Sequence, residues 1–179
     1  MTKVLKMDDV INRDLDRTYN ELLRCVEGLT EAQFGCKINP HVWSIHECLE
    51  HMVITEIAVY RILLQNAASK NAGSIEKIGK AAIEKMLSDR SVKTEAPDDV
   101  RPVGRFNNVG ELIEKFRSNR ERLLDALKNS KIVFDGQIFI HPMLGEMTKK
   151  DWLNFMIHHC ERHCRQIGEI RSYVQFQMS

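Results

Sequence analysis

Apolar residues recur at spacings of three and four along four separate stretches of this chain, the period of a helix that buries one face. From Asp9 to Glu27 the repeat is carried by Val10, Ile11, Leu15, Tyr19, Leu22, Leu23 and Val26, and Gly28 stops it. A second stretch opens at Ser44, three residues before Glu47, the spacing at which hydroxyl and carboxylate cap each other's backbone N–H groups, and runs through Leu64 to about Ala68. Asn108 and Glu111 open the third, which carries Leu112, Ile113, Phe116, Leu123, Leu124 and Leu127. Thr148 and Asp151 introduce the fourth, which continues to about Val174. No such helix can bury its stripe alone. The expectation is an all-α four-helix bundle spanning residues 1–179 as a single domain.

The intervals are punctuated. Thr30 to Gln33 has the pattern of a short extra turn ahead of the loop containing Asn39 and Pro40. Gly73, Gly79, Pro97, Pro102 and Gly104 break the long stretch between the second and third helices, leaving a short extra helix over Ser74 to Ser88 and an extended loop over Val92 to Phe106. Ile132 to Met147 reads as a loop or short extended segment. In the third helix Lys115, Arg117, Arg120, Glu121 and Arg122 form a mixed-sign run, the composition of a solvated face.

Charge excludes one class of function. Lys and Arg (26) nearly cancel Asp and Glu (25), so there is no long-range field to gather nucleic acid or an anionic membrane. The apolar fraction of 43% and charged fraction of 28% are those of a soluble protein, and no stretch approaches the roughly 18 uninterrupted apolar residues of a membrane span. A cytoplasmic location is expected. Five cysteines, an odd number without a Cys-x-x-Cys pair, argue for reduced thiols over a disulfide framework or a cysteine-rich zinc module.

Within the fourth helix His159 and His163 stand four residues apart, on a stripe with Trp152, Met156 and Ile170, and a further histidine, His51, lies in the second helix. Residues at i and i+4 share a face, so both imidazoles could hold one metal ion or could simply be hydrogen-bonded histidines. His158 is rotated by about 100° from His159 and faces elsewhere. His46 is expected to be exposed, and His41 sits in a loop. His141 could reach a cavity or pack its own loop. Cys48, Cys160 and Cys164 read as small buried apolar groups, and Trp43 and Trp152 as core anchors. Glu47 reads as a cap rather than a partner of an imidazole. Glu50, Glu56 and Glu161 are candidate bases of unknown direction.

Taken in order, several segments resemble one family. Trp43-Ser44-Ile45-His46-Glu47-Cys48-Leu49-Glu50-His51 is similar to the Trp-Ser to His segment of the DinB-like, or YfiT-like, metal-binding four-helix bundles. Ala96-Pro97, Arg101-Pro102 and Phe116 to Arg120 are similar to that family's Pro-containing loop and third helix. His141-Pro142-Met143-Leu144-Gly145, followed by Trp152, His159, His163 and Gln166-Ile167, resembles its last third. Lys70 to Ser91 is generic.

The resemblance implies a metal centre whose ligands are His51, His159 and His163. Three neutral imidazoles would hold one divalent ion at about 2.0–2.1 Å, zinc first, with nickel, iron or manganese as alternatives, and leave a position open to water or substrate. The activity it implies is transfer of a low-molecular-weight thiol to an electrophile, with a small-molecule thiol and electrophile as partners. Two alternatives accompany it: a hydrolase using metal-activated water, and a metal-binding stress-response protein without turnover. Nucleic acid and membrane are not expected partners. The subunit count stays open, a homodimer included.

Overall fold

The computed structural model of the protein describes residues 7–66, 71–91 and 95–177. Four long helices dominate it: α1 (Met7–Val26), α3 (Ile45–Leu64), α5 (Val109–Lys128) and α6 (Lys149–Gln177). Two short ones, α2 (Glu31–Gly35) and α4 (Lys80–Ser88), and a hairpin of β1 (Ile138–His141) and β2 (Gly145–Thr148) fill the connections. The long helices close a ring in which α1 packs on α6, α6 on α3, α3 on α5 and α5 on α1. None of them is long and apolar enough to cross a membrane.

The helix starts follow local capping chemistry. Ser44 and Glu47 form a reciprocal box at α3, as do Thr30 and Gln33 at α2, and the Asn108 side chain accepts from Glu111 N–H at α5. At α6 the Thr148 hydroxyl accepts from Asp151 N–H at 3.2 Å while Asp151 accepts from Thr148 N–H at 3.0 Å.

Several boundaries differ from expectation. The second long helix ends at Leu64, where Gln65 turns extended and donates to the Ile62 carbonyl; Ala68 lies outside the described residues. The helix expected from Ser74 begins only at Lys80. The reason is Asp151, whose carboxylate accepts from the N–H groups of Lys77, Ile78 and Gly79 at 2.8, 3.3 and 2.9 Å, wrapping that segment around itself. Gly79 makes this turn at φ +85, where a side chain would be strained. The loop expected over Val92 to Phe106 carries one 3₁₀ turn, Asp98–Val100, and its first three residues lie outside the described set. Ile132 to Met147 contributes most of a two-stranded antiparallel hairpin, registered Ile138 opposite Thr148.

Two apolar clusters fill the bundle, one around Leu49, Met52, Phe116 and Ile167, the other around Leu15, Val59, Leu123 and Leu153. A polar layer includes Glu56 on α3 and Arg120 on α5, which pair at 2.5 Å, with Arg120 also donating to Thr18 Oγ1 and the Leu15 carbonyl at 3.0 Å. Arg120 therefore does not belong to a solvated face, as its charged neighbours suggest; it is 4% exposed. Helix α6 is buried on all sides from Asp151 to Cys160, because α1, α3, α4 and the hairpin surround it.

Candidate metal centre

His51 enters from the second turn of α3, and His159 and His163 from adjacent turns of α6, so the packing of α3 on α6 brings the three rings together. Nε2 of His159 lies 3.1 Å from Nε2 of His51 and 3.1 Å from Nε2 of His163. All three side chains are buried.

Hydrogen bonds behind the rings select their tautomers. Nδ1 of His51 donates to the Val100 carbonyl at 2.8 Å, and Nδ1 of His163 donates to Oε1 of Gln166 at 2.9 Å. A neutral ring that donates from Nδ1 carries its lone pair on Nε2. Two such lone pairs therefore face the His159 nitrogen, and a single proton there can serve only one of the contacts well. Further protonation is resisted: burial lowers the pKa of all three histidines, and mutual repulsion lowers it further for His159 and His163, both well below the usual histidine value. One divalent cation would satisfy all three lone pairs, and the spacing suits bonds of about 2.0–2.1 Å. The donor set fits a metal ion.

The support behind His51 comes from its neighbour in sequence. Glu50, fully buried, accepts from Val103, Gly104 and Arg105 N–H groups at 3.0 Å each, anchoring the loop just beyond the Val100 carbonyl. Adjacent residues of α3 thus grip one loop, the first by carboxylate and the second by imidazole. Trp43 packs on the cluster, its ring centroid 4.9 Å from His51 and 6.4 Å from His163.

The rings open into a cavity of about 1070 Å³. Trp43, Val59, Ile62, Leu144 and Ile170 contribute apolar wall, and Arg90, Arg162 and Glu169 contribute charge. Trp43 and Trp152 both line it, so they are not solely the core anchors expected. Trp43 is the half-buried one.

The pattern of the DinB superfamily matches residues 14–167. The chain belongs to the DinB superfamily. The chain is also similar to the uncharacterized protein YuaE of Bacillus subtilis (strain 168), 27% identical over 166 residues, 93% of this chain and 98% of that one. Two solved structures share the fold. YfiT from Bacillus subtilis, described as a probable metal-dependent hydrolase with an unusual four-helix bundle topology, superposes with a TM-score of 0.62 at 16% identity, covering 98% of this chain and 93% of that one. TT2238, a four-helix bundle protein, gives 0.55 at 15% identity over 91% and 99%.

In this DinB-superfamily chain the other candidates part company with the three histidines. His158 turns away, donating from Nδ1 to Glu161 at 2.8 Å. His46 is half-buried rather than exposed, and His41 lies at the cavity edge. Glu47 caps α3 and pairs with Lys37. Each candidate base is occupied elsewhere: Glu50 by the loop, Glu56 by Arg120, and Glu161 by His158 and Arg17, which hold its carboxyl down at about 2. No carboxylate or thiol of the described residues joins the three-histidine group at ligand spacing. Cys48, Cys160 and Cys164 are buried among apolar side chains, and burial pushes the Cys48 thiol up.

Sequence reasoning missed the roles of Val100, Gln166 and Glu50. Gln166 had a local signal, since it follows His163 by one helical turn. Glu50 and Val100 had none, because their partners are 49 to 55 residues away.

Proposed function

We propose that this chain is a divalent-metal enzyme that joins a low-molecular-weight thiol to an electrophile, with His51, His159 and His163 as the metal ligands. The carrying observation is the convergence of three Nε2 atoms on one cavity while Glu50, Glu56 and Glu161 are each committed to structural partners. Thiol transfer asks less of a carboxylate than hydrolysis does, because a thiol already ionises near neutrality while water needs a strong base. Zinc is the first choice for an all-imidazole set with an open position, ahead of nickel, iron and manganese.

When bound, the ion supplies Lewis acidity that stabilises an anionic nucleophile at neutral pH. The chain's own groups do the rest. The Val100 carbonyl and Gln166 keep the His51 and His163 rings turned with their lone pairs inward. Trp43, Val59, Ile62 and Leu144 exclude water and give an apolar electrophile a surface. The reaction forms a sulfur–carbon bond, breaks the bond from that carbon to its leaving group, and releases the thiol proton to solvent.

Hydrolysis is the second reading, favoured by the fold shared with YfiT and its description as a probable metal-dependent hydrolase. Cobalt-loaded protein separates the two. A small thiol such as 2-mercaptoethanol should raise a sulfur-to-cobalt charge-transfer band, retained in Cys48→Ser and lost in His51→Ala. No band with any small thiol, together with metal-dependent ester cleavage that needs no thiol, would replace transfer by hydrolysis.

A further inference from the structure

Beyond the three histidines, two buried polar atoms without protein partners among the described residues belong to side chains that line the same cavity, Nε1 of Trp152 and Oγ1 of Thr55, and beside them lies His141, whose hydrogen bonds to the protein are made by Nδ1 and leave Nε2 to the cavity. These residues are only 5%, 6% and 8% exposed. Buried polar groups almost always find partners, so two orphans at one cavity, with the Nε2 of His141 beside them, call for an acceptor or donor that the protein does not itself provide.

The character of that partner follows from the hydrogens. Nδ1 of His141 accepts the N–H groups of Met143 and Leu144, both at 3.1 Å, in the turn of the hairpin. A nitrogen that accepts two N–H groups cannot carry the ring proton, so neutral His141 holds it on Nε2. Burial also lowers the pKa of this ring to about 4, which keeps it neutral. An indole N–H can only donate. The two rings touch, with centroids 4.9 Å apart, and Phe155 packs on His141 at 4.6 Å and on His159 at 5.1 Å, which links the pair to the three-histidine cluster.

We propose that His141 and Trp152 form a donor-only subsite that takes an unprotonated oxygen, carbonyl or carboxylate, of the molecule bound in this cavity. Thr55, one helical turn beyond His51, is the neighbouring group able both to donate and to accept. The reading rests on the cavity being the substrate site proposed above. It selects for substrates bearing an oxygen acceptor and against those presenting a hydroxyl or ammonium hydrogen at that point.

Nitrogen-15 NMR of the full chain, metal-free and zinc-loaded, tests it with acetate, acetamide and ethylammonium as probes. His141 should show a protonated Nε2 and an unprotonated Nδ1. Acetate should saturably shift the Trp152 indole N–H, assigned with Trp43→Phe, whereas ethylammonium should not. A matching shift with acetamide indicates a carbonyl subsite, and a shift with acetate alone a carboxylate subsite. His141→Phe and Trp152→Phe should each weaken acetate about tenfold, and His141→Gln, which keeps an N–H, should weaken it less. A His141 ring protonated on Nδ1, silence of the indole resonance, or affinity unchanged in both Phe variants overturns the proposal. Zinc stoichiometry is scored separately: loss of zinc binding with the acetate response intact would sink the metal reading and leave this subsite standing.

Discussion

Two groups of buried polar side chains cross the interior of this bundle, and they are built to opposite ends. The Glu56–Arg120 pair is saturated: guanidinium meets carboxylate, and Nη1 donates to Thr18 Oγ1 and the Leu15 carbonyl. Nothing remains to bind. The three-histidine group is supported from behind in the same way, by Val100 and Gln166, yet in front its lone pairs face each other at 3.1 Å. Polar groups satisfied all round hold helices together, whereas groups satisfied on the outer side and opposed on the inner side await a ligand. Burial alone does not tell the two apart.

The largest expected effect tests the saturated side. Arg120→Leu leaves Glu56 buried without its cation and should cost about 3–5 kcal/mol in urea unfolding of metal-free protein. His159→Ala in the same metal-free protein should cost less than about 2 kcal/mol, since it also removes an opposed lone pair. Equal losses for the two variants would make the histidines structural and erase the contrast.

Zinc binding reverses the ranking. His51→Ala, His159→Ala and His163→Ala should each abolish tight binding of one ion per chain, measured by competition with a chromophoric chelator, while Arg120→Leu, where folded, keeps it. Gln166→Leu, which removes only the acceptor behind His163, should weaken zinc about 10–100-fold. Glu50→Gln should act through the loop that holds Val100, lowering stability by about 2 kcal/mol and zinc affinity by a smaller factor than Gln166→Leu.

How this division was hidden from sequence follows from distance along the chain. The caps at Ser44, Asn108 and Thr148 and the apolar periods act within about four residues, so the four long helices were legible. The His159–His163 pair was legible for the same reason, and His51 through the resemblance at Trp43 to His51. Arg120 was misjudged because its partner is 64 residues away and its near neighbours are solvated charges. The late start of α4 was equally invisible, since Asp151 wraps Lys77 to Gly79 from 72 to 74 residues downstream.

Acidity sharpens the comparison through the histidines. In the folded protein the pKa values of His51, His159 and His163 are depressed below about 6.5. Below that value the unfolded chain binds more protons than the fold does, so metal-free stability is full above about pH 6.5 and falls as pH drops toward the folded-state values. Zinc affinity, set by the folded-state values alone, should stay flat through about pH 6.5 and fall only as pH drops toward those lower values, with proton release on zinc addition confined to that acid range. Titration calorimetry in buffers of different ionisation enthalpy reads that release. Release that grows above neutrality would point to thiol ligands instead.

The smallest effect belongs to His158, next in sequence to a proposed ligand but turned away from the other three rings. Its Nδ1 donates to Glu161, which Arg17 also holds, and its Nε2 is buried without a partner outside the cavity lining. His158→Gln should change stability by about 1 kcal/mol and leave zinc affinity within twofold, the span expected when a hydrogen bond is altered away from the metal. The helix geometry makes this a stringent control, because a register error of one residue in α6 would exchange the roles of His158 and His159. Zinc binding that survived His159→Ala and vanished in His158→Gln would show that error directly, and the orphan Nε2 of His158 would then be the ligand atom.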